Sequence, residues 1–214
     1  MKPYYNHEGI TIYHGDCRDI LPTLEPVDLA FVDPPYGIGE DSRKSSSREK
    51  LARTTDYGEF DWDIKLDRET IDMIRRAGSA QIIFGGNYYA DWLPASRCWV
   101  VWDKDNSGDF ADCELAWTSL DKAVRMYRYR WNGMMQQPGV PKEKRLYPTQ
   151  KPISLMRWCI LLAGDVNSMI DPCMGGGSSI RAAKDLGVQR IIGIDKREIA
   201  CEIAAKRLSQ EVLL

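Results

Sequence analysis

A chain of 214 residues holds one α/β domain with a sizeable core and is too short for two comfortable ones. Apolar residues make up 43% and charged residues 28%, a globular balance, and no apolar run is long enough to cross a bilayer. The formal net charge of −2 excludes a protein that holds nucleic acid by bulk positive charge, so any grip on nucleic acid must come from a local basic patch.

The opening Met1-Lys2-Pro3-Tyr4-Tyr5 lacks the apolar stretch of a signal peptide, and a cytoplasmic protein without membrane association is expected. The cysteines Cys17, Cys98, Cys113, Cys159, Cys173 and Cys201 form no C-x-x-C pair, and His7 and His14 are the only histidines. Reduced thiols and no metal site are expected.

In chain order, Ile10 to Tyr13 reads as a short strand. Asp28 to Val32 is a second, running into Asp33-Pro34-Pro35-Tyr36-Gly37. From about Glu40 to Asp63 the chain is polar, with Ser45-Ser46-Ser47 inside it; long loops of this kind usually carry function. Asp67 to Ala77 has helical spacing, with Ile71, Ile74 and Ala77 on one face. Ala80 to Phe84 is expected to be a strand stopped by Gly85-Gly86. Cys98 to Trp102, Cys113 to Trp117 and Ala123 to Tyr129 read as further strands, the last two as a hairpin-like pair. Pro138 to Pro148 is a basic, Pro-rich loop. Pro152 to Leu162 is helical, with Leu155, Trp158, Cys159 and Leu162 on one side. Val166 to Ile170 is a strand feeding Asp171-Pro172-Cys173-Met174-Gly175-Gly176-Gly177. Ser178 to Leu186 is a helix, Arg190 to Ile194 a strand ending at Asp195, and Ile199 to Leu208 a terminal helix. This alternation predicts an α/β fold: a single doubly wound, mostly parallel sheet with helices on both faces.

Two of these strand ends carry chemistry. A glycine turn between strand and helix lets a ligand approach the backbone closely, and the helix start offers free N–H groups to an anion. Asp195, one strand later, is placed to accept hydrogen bonds from ribose hydroxyls. The turn is not G-x-G-x-x-G, since Ile180 stands where the third glycine would be, and Ser178 directly after Gly177 rules out the Gly-Lys-Ser/Thr ending of a P-loop. A ligand with a ribose and a carboxylate but no phosphate fits best, and S-adenosylmethionine is one. The alternative is a plain glycine-rich turn.

Asp33-Pro34-Pro35-Tyr36 leaves its strand at the same edge of the sheet, where open α/β folds bind ligands. An aryl amine is a poor nucleophile because its lone pair is delocalised into the ring. Two acceptors on its two protons, the Asp33 carboxylate and the Pro34 carbonyl, would localise that pair. The two prolines fix the backbone and remove competing N–H donors. Tyr36 offers a face on which an extruded base stacks. Methyl transfer to nitrogen is then a direct in-line displacement helped mainly by positioning. The alternative is a rigid turn with Asp33 as its cap.

Together these residues resemble the amino-methyltransferase family of DNA, adenine-N6 and cytosine-N4 type, in its permuted beta-group order, with the catalytic motif first and the glycine turn last. The likeness runs through Tyr13-His14-Gly15-Asp16-Cys17, Asp33 to Tyr36, Trp102-Asp103-Lys104, Cys113 to Thr118, Pro148-Thr149-Gln150-Lys151-Pro152, Asp171 to Ser179 and Gly193-Ile194-Asp195. It implies a circularly permuted Rossmann-like methyltransferase fold in a single domain over residues 1–214. It also implies S-adenosylmethionine as cofactor and double-stranded DNA as partner. For the cofactor it implies Asp16 and Cys17 near the adenine, Asp195 at the ribose, and Thr149 and Lys151 near the methionine end. Asp33, Asp171, Cys173, Gly175, Gly177 and Ser178 would complete that site. Asp33, Pro34, Pro35 and Tyr36 would be catalytic. The chain departs from the family at Cys173, usually phenylalanine, at Gly176-Gly177-Ser178, usually Ser-Gly-Thr, and at Tyr147, often histidine.

For DNA, residues 38–63 carry Arg43, Lys44, Arg48, Lys50 and Arg53. Period-two alternation puts Arg125, Tyr127, Tyr129 and Trp131 on one face and Arg128 and Arg130 on the other. The arginines would meet phosphates or guanine and the aromatics would stack on bases; a solvated surface is the alternative. Lys142, Lys144 and Arg145 follow. The target-recognition stretch, 120–148, is short, which implies a short recognition sequence or help from a second copy in a homodimer. Cytosine-N4 methylation uses the same geometry, often with serine at the position of Asp33. Cytosine-C5 methylation through Cys173, an RNA or protein-amine methyltransferase, and a non-catalytic DNA- or nucleotide-binding module are the other readings.

Overall fold

The computed structural model describes residues 2–39, 63–106, 111–132 and 135–209. Its elements, in chain order, begin with β1 (Tyr5–His7), β2 (Ile10–His14), α1 (Cys17–Ile20), β3 (Val27–Val32), α2 (Arg68–Arg76) and β4 (Gly78–Phe84). Then come β5 (Trp99–Asp103), β6 (Cys113–Thr118), β7 (Arg125–Arg128), β8 (Trp131–Asn132) and β9 (Met135–Gln136). The last are α3 (Ile153–Ala163), β10 (Ser168–Asp171), α4 (Ser178–Asp185), β11 (Arg190–Asp195) and α5 (Glu198–Ser209).

One sheet takes nine strands in the order β1-β2-β11-β10-β3-β4-β6-β5-β7, and β8 pairs with β9 apart from it. The five strands from β2 to β4 run parallel. Such strands are covered on both faces and so are apolar throughout. In β3, Leu29 and Phe31 point into one core, with side chains of α3, α4 and α5. Ala30 and Val32 point into the other, with Cys17 and Ile20 of α1 and Ile71 and Ile74 of α2. The α/β, doubly wound reading therefore holds. Helix α2 is capped at its start by the Asp67 carboxylate, which accepts from Thr70 N at 2.8 Å, and Arg75 and Arg76 lie in the last turn, where the helix dipole favours cations.

The parallel strands bring Gly15-Asp16, Asp33, Asp171 and Asp195 to one carboxyl edge. Because β3 precedes β10 in the chain, the Asp-Pro-Pro-Tyr turn comes first and the glycine turn last, as the permuted order requires.

Two expectations about the 113–131 region are corrected. β6 and β7 are not a hairpin: β5 lies between them, antiparallel to β6 and parallel to β7, so that Trp102 faces Glu114 on one side and Tyr127 on the other. The Trp102 indole N–H donates to the Tyr129 carbonyl at 3.0 Å and Arg128 pairs with Asp103 at 2.7 Å, which fixes β7 on β5. Alternation alone identifies shared faces, not the neighbouring strand. Nor do the aromatics of this stretch present themselves to bases. Tyr129 and Trp131 are 9% and 6% exposed, and Tyr127 packs on Trp158 with ring centroids 5.2 Å apart. Burying rings that each carry about 150–250 Å² of surface drives this face into the core.

Candidate active site

A cavity of about 340 Å³ opens at the carboxyl edge. Asp16, Cys17, Asp33, Pro35, Thr149, Lys151, Asp171, Cys173, Gly175, Ser178 and Asp195 all line it. The Asp-Pro-Pro-Tyr turn and the glycine turn thus face one space. Pro34, Tyr36 and Gly177 do not line it, whereas Gly176 and Tyr147 do.

The glycine turn is shaped by what lies against it. A Cβ on Gly176 would come 2.8 Å from Tyr147 Cβ, and one on Gly175 (φ +52°) would come 3.2 Å from the Tyr147 ring. Tyr147, 3% exposed, is therefore a flat wall beside a turn stripped of side chains, with the Arg197 guanidinium 5.0 Å from its ring centre. Gly177 has a packing role instead: it caps α4 with φ +74°, and a Cβ there would come 2.8 Å from Ala204 Cβ. The Ser178 hydroxyl is taken by Arg207, which donates to it at 2.8 Å and to Gln150 Oε1 at 2.6 Å. Asp195, 4% exposed, accepts from Gly175 N at 3.0 Å, Arg197 N at 2.9 Å and Arg197 Nε at 3.1 Å. Asp16 caps α1 and accepts from Arg18 Nη2 at 2.6 Å, and that guanidinium holds its carboxyl below the usual range.

Asp171 braces the turn from beneath, accepting from Cys173 N at 3.0 Å and from the Ser179 hydroxyl. Burial pushes its carboxyl up to about 7. An acid raised in the folded state binds its proton more tightly there than in the unfolded chain, where it titrates near 4. Its contribution to stability is complete below about pH 4 and is lost as pH rises through about 7. Chemical denaturation of cofactor-free protein should show the wild type weakening against Asp171→Asn over this window, with the two curves parallel if the expectation is wrong.

At the Asp-Pro-Pro-Tyr turn, Asp33 is half-buried at the end of β3. The Tyr36 hydroxyl donates to its Oδ1 at 2.5 Å, and the Lys151 ammonium is bonded to its Oδ2. Lys151 thus contacts Asp33 directly, a partnership that the resemblance, which placed it near the methionine end, did not supply. The Tyr36 ring stacks on Tyr88 with centroids 4.8 Å apart and planes at 20°. Its other support is Gly85 (φ +63°), where a Cβ would overlap the ring. Gly85→Ala should therefore displace Tyr36 and lower methyl transfer while leaving cofactor binding intact; full activity in the variant would contradict this packing. The turn is anchored further on by the Tyr89 hydroxyl, which donates to the Pro35 carbonyl at 2.5 Å, and by Asp63, which accepts from Gly37 N at 2.8 Å and Ile38 N at 2.9 Å.

Among the basic candidates, Arg43, Lys44, Arg48, Lys50 and Arg53 lie outside the described residues. Arg128 and Arg130 are engaged by Asp103 and Asp105 at 2.7 and 2.6 Å. Arg125 is exposed on the edge strand β7. Sequence reasoning missed Tyr88, Tyr89, Arg197 and Arg207. Only the pair Tyr88-Tyr89, right after a strand-ending Gly85-Gly86, carried a local signal.

A doubly wound parallel sheet, a side-chain-free turn and a carboxylate–proline turn around one cavity define a Rossmann-like methyltransferase. Residues 96–206, just over half of the chain, match the family model for N6/N4-type DNA methylases. The chain belongs to this DNA amino-methyltransferase family. The Type II methyltransferase M2.DpnII of Streptococcus pneumoniae is 26% identical over 256 aligned positions, which span 98% of this chain and 93% of that protein. M.HinfI of Haemophilus influenzae is likewise 26% identical, over 98% of this chain and 71% of its own. The fold is shared with the M1.HpyAVI–SAM complex (TM-score 0.60, 24% identity, 92% of this chain and 99% of the other). It is also shared with the cytosine-N4-specific PvuII DNA methyltransferase (TM-score 0.64, 12% identity, 100% and 91%). No helix among the described residues is long and apolar enough to cross a membrane.

Proposed function

We propose that this chain transfers a methyl group from S-adenosylmethionine to the exocyclic N6 of an adenine extruded from double-stranded DNA, working as one methyltransferase domain. The observation that carries this reading is that Asp33 and the Cys173–Gly176 turn line the same cavity. The cavity suits the cofactor: Asp195 and Asp16 offer carboxylates to ribose hydroxyls and an adenine edge, Tyr147 gives a flat wall, and the turn has no side chains in the way. Once bound, the cofactor supplies a methyl group on an electrophilic sulfonium.

Asp33 accepts one proton of the target amine and the Pro34 carbonyl the other, since Tyr89 already holds the carbonyl of Pro35. Localising the nitrogen lone pair in this way needs fixed acceptors, and the hydrogen bonds from Tyr36 and Lys151 fix Asp33. The stacked rings of Tyr36 and Tyr88 offer a surface for the base, at about 1–3 kcal/mol per stacked base, against the few kcal/mol that extrusion costs. Adenine is preferred over cytosine because a carboxylate, not serine, opens the motif. A cytosine-C5 mechanism needs a thiolate. The hydrogen bond with Cys17, together with burial, pushes the Cys173 thiol well up, which disfavours one.

DNA contact is assigned to the 38–63 loop, through Arg43, Lys44, Arg48 and Arg53, and to the 120–148 segment, where exposed Arg125 is the clearest candidate. The likeness to Type II methyltransferases supports a place in restriction–modification. Expression in a host free of DNA methylation, followed by genome-wide mapping of modified bases, tests the proposal. N6-methyladenine in one short recurring sequence is expected. N4-methylcytosine instead would move the assignment to cytosine, and an unmodified genome would overturn it.

A further inference from the structure

Behind Asp33 and Lys151 the alternation of charges continues through Glu114 and Lys104, two groups that the proposed reaction does not use. Lys151 is only 8% exposed, and its ammonium lies between two carboxylates: it is bonded to Asp33 Oδ2 and is 3.4 Å from Glu114 Oε2. The same ammonium is 3.4 Å from the Tyr36 hydroxyl. The other oxygen of Glu114 pairs with Lys104 Nζ at 2.5 Å. Three separate parts of the chain build this relay: Lys104 just past β5, Glu114 on β6, and Lys151 just before α3.

Glu114 and Lys151 stay charged despite their burial. Burial pushes the Glu114 carboxyl up, but the Lys151 and Lys104 ammoniums outweigh it and hold it below the usual carboxylate range. Burial pushes the Lys151 ammonium down, and the Asp33 and Glu114 carboxylates outweigh that and raise it.

This geometry creates a competition at Asp33. Its role in methyl transfer is to accept a hydrogen bond from an amine, yet a buried ammonium, a stronger donor, is already on one of its oxygens. Were Lys151 paired with Asp33 alone, its whole charge would fall on the acceptor that the substrate amine needs. Glu114 offers that ammonium a second carboxylate partner, and Lys104 holds Glu114 in place.

We infer that Glu114 is a positioning residue for methyl transfer: by sharing Lys151 with Asp33 it keeps the Asp33 carboxylate oriented and available to the target amine. This rests on the reading of Asp33 given above. Glu114 touches neither base nor cofactor in this account. Its effect runs through Lys151, so it appears in turnover and not in binding.

The experiment measures kcat, cofactor Kd and DNA Kd for wild type, Glu114→Gln, Lys151→Met and the double variant, on DNA that the wild type methylates. Glu114→Gln should lower kcat about tenfold at saturating substrates with both Kd values unchanged. In the Lys151→Met background the same substitution should cost nothing more, because the two residues act as one unit. Lys104→Met, at the outer end of the relay, should lower kcat in the same direction by a smaller factor, and it decides the matter alone if Glu114→Gln does not fold. Wild-type turnover in Glu114→Gln, a loss confined to either Kd, or equal losses with and without Lys151 would overturn the inference while leaving the proposed function standing. A wild type that methylates no DNA would instead remove the proposed function itself.

Discussion

Asp33→Ala is expected to lower methyl transfer by about 10²–10³-fold or more, the scale of losing one preorganised polar group aimed at the reacting centre. Cofactor affinity should stay within about threefold of wild type, because Asp33 is assigned to the target amine and the cradle at Asp195 and the glycine turn is untouched. Asp33→Asn makes the sharper case. Its amide is nearly isosteric and keeps one acceptor. Lys151 only donates, so it will take the amide oxygen, and the NH₂ is left to face Tyr36 and the target. A donor meeting the protons of an amine cannot draw its lone pair out of the ring. Both substitutions should therefore give protein that binds cofactor and DNA but turns over slowly. A methyl-transfer rate in Asp33→Asn close to wild type would mean that the carboxylate is a structural cap and nothing more.

Asp195→Ala should do the opposite damage. The carboxylate is 4% exposed and holds the turn through Gly175 N at 3.0 Å. It is also the group assigned to the ribose. Hydrogen bonds to a charged group contribute about 1.5–3 kcal/mol each, so losing them should raise the cofactor Kd about tenfold to a hundredfold. Arg197 loses a partner as well, and Tyr147 with it loses part of its support, so some loss of thermal stability is expected. Titration calorimetry separates the effects. With Asp195→Asn, which keeps the shape, affinity should fall while turnover at saturating cofactor recovers in large part. Unchanged affinity in both variants would remove Asp195 from the cofactor site.

Much of the architecture was legible in the chain. β3, β10 and β11 are short apolar runs that lead to an acid, and α2 is announced by Ile71, Ile74 and Ala77 on one face. The cavity was legible for the same reason: its acids sit at strand ends, and parallel strands put their carboxyl ends together. What escaped was non-local. Nothing near Arg125–Arg128 reveals that β5, and not β6, is its neighbour, and alternation there could not tell whether Tyr129 and Trp131 faced solvent or core. Arg207, buried and tied to Ser178 and Gln150, looks in the sequence like any polar residue near the end of a helix. Glu114 on β6 and Lys104 just past the neighbouring β5 are far from Asp33 in sequence, and only the folded sheet sets them behind Lys151. That Gly176 lines the cavity while Gly177 packs on α5 also escaped, because a run of three glycines does not say which one faces the cavity.

In the proposed reaction a cofactor methyl and a base amine meet at Asp33. Incubating purified protein with unmethylated DNA and methyl-labelled S-adenosylmethionine, then digesting the DNA to nucleosides, tests it most directly. Label is expected in N6-methyl-2′-deoxyadenosine with wild type, and about 10²–10³-fold less of it over the same time with Asp33→Ala. Label carried at cytosine C5, or equal label with and without the Asp33 carboxylate, would contradict it.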